Sequence, residues 1–209
     1  MPYFARSRHR TQTIADGGKG LRAGQAAAWS GVRCHADAFH AEAGPGKLAF
    51  FLHNRALGCI AARQKLQHKR ERSKKRRKGR GLSKKLALAG QAEDQAIQLA
   101  EDIAALADWM QNDILSLAGP DLATRRELFN FVIEELRQRE ELCVHRIRPV
   151  RGMLERHPDD LLAFAGVLDS RFAEIALCFH VPVYLVHGLG ELQGLDRTDS
   201  TSSRPPSAT

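Results

Sequence analysis

The sequence has no long hydrophobic run. Nowhere do the roughly 18 consecutive apolar residues of a membrane-spanning helix occur, and the basic start Met-Pro-Tyr-Phe-Ala-Arg-Ser-Arg-His-Arg has no apolar stretch behind it, which argues against a secretory signal. Aromatic residues are sparse, at 6%. The four cysteines (Cys34, Cys59, Cys143 and Cys178) are far apart and form no Cys-x-x-Cys pair. Such spacing gives neither a disulfide framework nor a zinc-site signature, and predicts buried thiols in a reducing cytoplasm. The phosphate-binding patterns G-x-x-x-x-G-K-[ST] and G-x-G-x-x-G are also missing, which disfavours a nucleotide loop. With 209 residues the chain holds one domain, or one and a fraction, which excludes a large multidomain enzyme.

What the sequence does have is concentrated charge. Its 32 Lys and Arg against 24 Asp and Glu give a net +8, but the excess is not spread evenly. Arg63 to Lys85 holds 13 Lys/Arg and one acid, Glu71, a local charge of +12 that leaves the rest of the chain at −4. A mildly acidic body with one intensely basic segment points to a polyanion, with nucleic acid the default partner and DNA the favoured one, and to a nucleoid-associated cytoplasmic protein. The run Lys74-Lys75-Arg76-Arg77-Lys78, with Arg80, Lys84 and Lys85, supplies the candidate contacts. No aromatic is interleaved to stack on bases, so binding should ignore sequence. The competing reading is a solvated helix face that keeps a long hairpin in solution.

Two architectures follow one another. Thr11–Ala15 and Val32–His35 read as short strands around a glycine-rich turn and the alanine-rich helix Leu21–Trp29, a β-α-β piece too small to fold alone. From Gly46 the chain reads as helix. Leu48, Leu52, Arg55, Cys59, Ala62 and Leu66 recur at steps of four and three, and Leu86, Ala89, Glu93, Ala96, Ala100, Ile103, Ala107, Met110, Ile114 and Leu117 continue that alternation. The pattern predicts a mainly α fold built on an antiparallel hairpin, with arms 46–78 and 82–118 joined at Gly79-Arg80-Gly81 and the second arm ended by Gly119-Pro120. Thr124-x-x-Glu127 reads as a capping box opening a helix with Leu128, Phe129, Val132, Ile133 and Leu136 inward. Asp159 reads as the cap of a further helix with Leu161, Ala165, Leu168, Phe172, Ile175 and Phe179 on its seam. Residues 1–10 and 196–209 have the composition of disordered ends.

Three small groups carry possible chemistry. Asp16 follows the first strand, where a carboxylate binds a metal or simply makes an Asp-Gly turn. Asp37 and His40, spaced i, i+3, would share one face of a starting helix, as ligands or as an N-cap and a semi-buried ring. Ala173–Val186 has the outline of a helix-turn-helix, for which core packing is the plainer account.

Taken together, T-I-A-D-G-G-K-G-L-R-A-G-Q and C-H-A-D-A-F-H resemble bacterial insertion-sequence transposases of the RNase H-like DDE superfamily, in the Mutator-like arrangement. A-D-W-M-Q-N-D-I-L-S-L-A-G-P, R-R-E-L-F-N-F-V-I-E-E-L and H-R-I-R-P-V-R resemble the helical insertion such enzymes carry, so the likeness spans about residues 11–195. The resemblance implies that 11–45 is a partial RNase H-like segment and 46–195 the insertion, with its basic tip near 63–85. It makes Asp16 the second metal-binding acid, with Asp37 and His40 the accompanying motif. The parent enzyme would hold two Mg²⁺ or Mn²⁺ ions about 4 Å apart for DNA strand transfer. Two of the three acids of that site have no counterpart, since none of the fifteen residues before Asp16 is acidic and no Glu-x-x-Asn helix follows the insertion. The expectation is a truncated transposase, inactive alone. The alternatives are a helical nucleic-acid-binding module without catalysis and a coiled-coil protein that self-associates through its seams.

Overall fold

A computed structural model describes residues 12–15, 23–24, 27–28, 33–36, 38–75, 81–156 and 158–189. The fold is mainly helical. Strands β1 (Gln12–Ala15) and β2 (Arg33–Ala36) pair in parallel, with Gln12 opposite Arg33 and Ala15 opposite Ala36. Between them only 23–24 and 27–28 are described, both helical, so a connected β-α-β unit is not seen among the described residues. No strand follows residue 46 among the described residues. The ends expected to be disordered, 1–10 and 196–209, lie outside the described residues.

Helix α1 (Ala38–Lys75) has 38 residues and α2 (Leu82–Trp109) has 28. They form the expected hairpin, α1 spanning about 57 Å at 1.5 Å per residue. Gly81 starts α2 at φ 87, a left-handed conformation that costs glycine nothing and an L residue about 1 kcal/mol or more. The first arm begins eight residues earlier than the pattern predicted, running straight through Pro45. Proline inside a helix forfeits a hydrogen bond and costs roughly 3 kcal/mol. Here Pro45 is itself buried, and the turn before it places Ala41 in the core beside Leu48, so tertiary burial outweighs the local penalty. The seam departs from the expected steps at Arg55, which is exposed while its neighbour Ala56 is buried, because a guanidinium keeps its charge in water and the smaller side chain fits between the arms. Leu48, Leu52, Ala96, Ala100, Ile103, Met110 and Ile114 are all buried. Toward the tip the packing thins: Leu66 is half-buried and Ala62 exposed.

The second arm ends in a π-helical turn, Met110–Ile114, short of the predicted 118, and Leu117 is 69% exposed. Helix α3 (Leu122–Arg139) then starts two residues before the expected cap. Asp121, extended at ψ 165, accepts the Thr124 N–H at 2.8 Å, so Asp121 is the cap and Thr124 lies inside the first turn. The predicted inward face holds, with Phe129, Val132 and Leu136 buried. A 3-10 turn, Glu140–Leu142, leads into α4 (Val144–Leu154), then α5 (Pro158–Phe179). Pro158 occupies the first position of α5, where its missing N–H costs nothing, and Asp159 sits in the first turn rather than capping it. Helix α6 (Val183–Leu189) folds back at 116°. The reversal is a Schellman turn: Val181 N–H bonds the Ala176 carbonyl and His180, at φ 53, donates to Leu177. Val186 is buried and the His187 ring meets Phe172 edge-on at 4.8 Å. No single helix among the described residues is long and apolar enough to cross a membrane.

Ion pairs tie α3 to α4. Glu140 takes Arg148 on one carboxylate oxygen and Arg151 on the other, and Glu155 takes Arg151 and Arg137 at 2.6 and 2.9 Å. The hydrogen bonds from Arg148 and Arg151 hold the Glu140 carboxyl below its ordinary range. At Glu155 burial opposes the same effect, and the Arg151 and Arg137 bonds outweigh it. Both groups bind protons less readily folded than unfolded, so their stabilisation is present above the ordinary value of 4.5 and is lost as pH falls through the lowered folded values. Thermal melts should therefore hold a level midpoint through neutral pH and fall only below about 4.5. A midpoint that rose on acidification would contradict these pairings.

Candidate nucleic-acid interface

The basic segment sits on the outer half of the hairpin, where the two arms diverge from the core. Arg63 faces inward. Its Nε lies 2.6 Å from Oε2 of Glu93, a carboxylate only 7% exposed on the α2 seam. The contact is at ion-pair distance without hydrogen-bond alignment. A buried carboxylate needs a cation, so Arg63 is committed to register between the arms. Arg63, Gln67, Arg70, Glu71 and Leu86 line a shallow groove there. Glu71, the segment's one acid, stands 3.7 Å from His68.

The remaining cations face out. Lys65, Lys69, Arg72, Lys84 and Lys85 are exposed, and among the described residues none has a carboxylate at ion-pair distance. Lys74 and Lys75 continue α1 as helical backbone, their side chains outside the described residues. Arg76, Arg77, Lys78 and Arg80 lie outside the described residues altogether. Helix α1 ends at Lys75 and Gly81 precedes α2, and the residues between them lie outside the described residues.

The metal-site expectation fares differently. Asp16 and Asp37 lie outside the described residues, and His40 is described only as α1 backbone. Among the described residues no group of three His, Cys, Asp or Glu side chains is placed to hold a metal ion, so no donor set there fits Mg²⁺ or Mn²⁺. The helix-turn-helix outline of 173–186 takes the form of α5, the His180 turn and α6. The surface α6 presents is Tyr184 and Leu189, 71% and 62% exposed, without a Lys or Arg to meet a phosphate. That chemistry suits an apolar partner surface rather than a recognition helix.

Two features escaped the sequence reading. Arg125 is 1% exposed. Its guanidinium donates to the carbonyls of Ile114 at 2.7 Å and of Ser116 and Pro120 at 2.5 Å, and stacks 5.2 Å from the Phe164 ring centroid. It gathers the orphan carbonyls that end the second arm. The clue was available: Leu122, Arg125, Phe129, Val132 and Leu136 run at steps of three and four, which puts an arginine on the seam. The second is Arg146 of α4, stacked 4.4 Å over the Phe51 ring of α1. Nothing in the spacing of one helix announces a contact between two.

Comparison with protein-family models, curated proteins and solved structures found no match to this chain.

Proposed function

We propose that this chain is a DNA-associated piece of an insertion-sequence transposase, comprising its helical insertion and a strand-bearing remnant of the catalytic domain, and catalytically incomplete alone. The observation that carries DNA association is the set of outward cations, Lys65, Lys69, Arg72, Lys84 and Lys85, on a hairpin whose one buried acid is already matched by Arg63. A helix face that only needed solubility would mix charge signs, as the α3 surface does. This one carries a single sign, which neutralises phosphates and releases their counterions. The fragment reading draws support from the corner at α5 and α6. Leu177, Phe179, Tyr184 and Leu189 are 75%, 73%, 71% and 62% exposed, large apolar side chains of the kind a larger fold covers.

Affinity should be similar on duplexes of unrelated sequence and unaffected by EDTA, because the contacts are to backbone and need no metal. Strong preference for one sequence, or loss of binding on chelation, would contradict the reading. In Mg²⁺ or Mn²⁺ the purified chain is expected neither to cut nor to join DNA. Metal-dependent strand transfer abolished by Asp16→Asn would overturn the incomplete-enzyme part. Self-association is the second reading, favoured by the same exposed corner. The helical seams are buried within the chain, so a second copy would meet Leu177 and Phe179 instead. A mass that stays monomeric across concentration removes it.

A further inference from the structure

We infer that the DNA-contact surface is not confined to the hairpin tip but runs down one flank of α1 to a two-arginine fork at the hairpin base, formed by Arg55 and Arg146. This rests on the DNA reading above. At about 100° per residue, Lys47, Phe51, Arg55, Lys65, Lys69 and Arg72 fall within about 100° of one another around α1. The buried seam, with Leu52 and Ala56, lies beside this sector, and the two acids of α1, Glu42 and Glu71, lie on the other side. All five cations of the sector are exposed.

The base of the track is held in place rather than loose. Arg55 donates through Nη1 to the Leu142 carbonyl at 3.4 Å, and Arg146 comes across from α4 to stack on Phe51 one turn away. Two guanidiniums from two helices thus converge on one surface, each tethered by a contact that spends little of its charge. The stack pre-organises Arg146, which reduces the entropy lost on binding. Neighbouring charges do not cancel the fork: Glu140 is occupied by Arg148 and Arg151, leaving Glu141 as the free acid of the adjoining turn. Between fork and tip the sector is lined by Gly58 and Ala62, and a Cβ at Gly58 would meet nothing within 4 Å, so a duplex backbone can lie close against the helix. Arg55 to Arg72 spans about 26 Å at 1.5 Å per residue. That length matches about seven or eight phosphates of one strand at 3.4 Å each.

The test compares salt dependence of duplex affinity for the full chain and four variants on a duplex longer than the track. Lys65, Lys69 and Arg72→Gln should flatten the slope of log affinity against log salt by about 2.7, and Arg55 with Arg146→Gln by about 1.8, at about 0.9 per lost phosphate. Arg146→Lys should keep the parental slope, since charge and not packing is read out. All these positions are exposed, and unchanged thermal midpoints would show the fold intact. If the triple and fork variants kept the parental slope while glutamines at 74–78 flattened it, the tip alone would bind and the track would be wrong. If, of the glutamine variants, only the one at 74–78 kept the parental slope, the tip contact would fail and the track would stand. No salt-dependent binding by the parent would remove the DNA reading, and the track with it.

Discussion

Replacing Arg125 by methionine is expected to cost about 3–5 kcal/mol of stability and to lower the melting midpoint by roughly 6–20 °C, at about 2–4 °C per kcal/mol for a domain of this size. Two effects compete. Methionine fills much of the same volume and spares the burial of a charge, and exchanging a whole buried ion pair for apolar side chains is often neutral. Here, however, the acceptors are backbone carbonyls of Ile114, Ser116 and Pro120, which the substitution cannot remove. Each loses its donor in a buried or half-buried place at about 1–3 kcal/mol, so the unmade bonds win. Arg125→Lys keeps the charge but reaches fewer carbonyls, and should fall between. Chemical denaturation of the three proteins checks the order. A methionine variant within about 0.5 kcal/mol of the parent, the scale of a neutral surface change, would mean the corner does not depend on this residue.

The same corner makes Gly119→Ala the second large effect. A Cβ there would stand 2.1 Å from the Asp113 carbonyl oxygen and 2.9 Å from Nη2 of Arg125. A Cβ has no rotamer with which to escape, and backbone must move instead. The expected loss is about 2–4 kcal/mol, at the upper end of overpacking costs. Combining it with Arg125→Met should lose clearly less than the sum, since each change already breaks the junction between the second arm and α3. Strict additivity would show that the two residues do not share that junction.

The hairpin was legible in the sequence because helix period, core burial and turn chemistry agreed. Steps of three and four from Leu48 to Ile114 and the glycine at 81 describe one object from three directions. The boundaries were less legible where tertiary contacts outweighed local signals. Gly-Pro-Gly at 44–46 reads as a break, yet Ala41 is needed in the core and the helix continues through it. Thr124 reads as a cap, yet Asp121 comes first after Pro120 and takes the orphan N–H. On α5 the seam holds at Leu161 and Ala165 but not at Ile175 or Phe179, 42% and 73% exposed, because periodicity names a face without saying whether anything covers it. The candidate interface was half legible. Charge density marked the segment, whereas the commitment of Arg63 to Glu93 and the meeting of Arg55 and Arg146 at the base depend on which helices lie side by side.

The central claim is that the basic end of the hairpin holds DNA by its phosphates, and the salt slope with and without that end tests it most directly. Changing Lys74, Lys75, Arg76, Arg77 and Lys78 to Gln preserves helix propensity and leaves the buried seam untouched. Five lost phosphate contacts should flatten the slope of log affinity against log salt by about 4.5 on duplex DNA, equally on unrelated sequences. An unchanged slope and affinity would make the basic tip a solvated face and contradict the account.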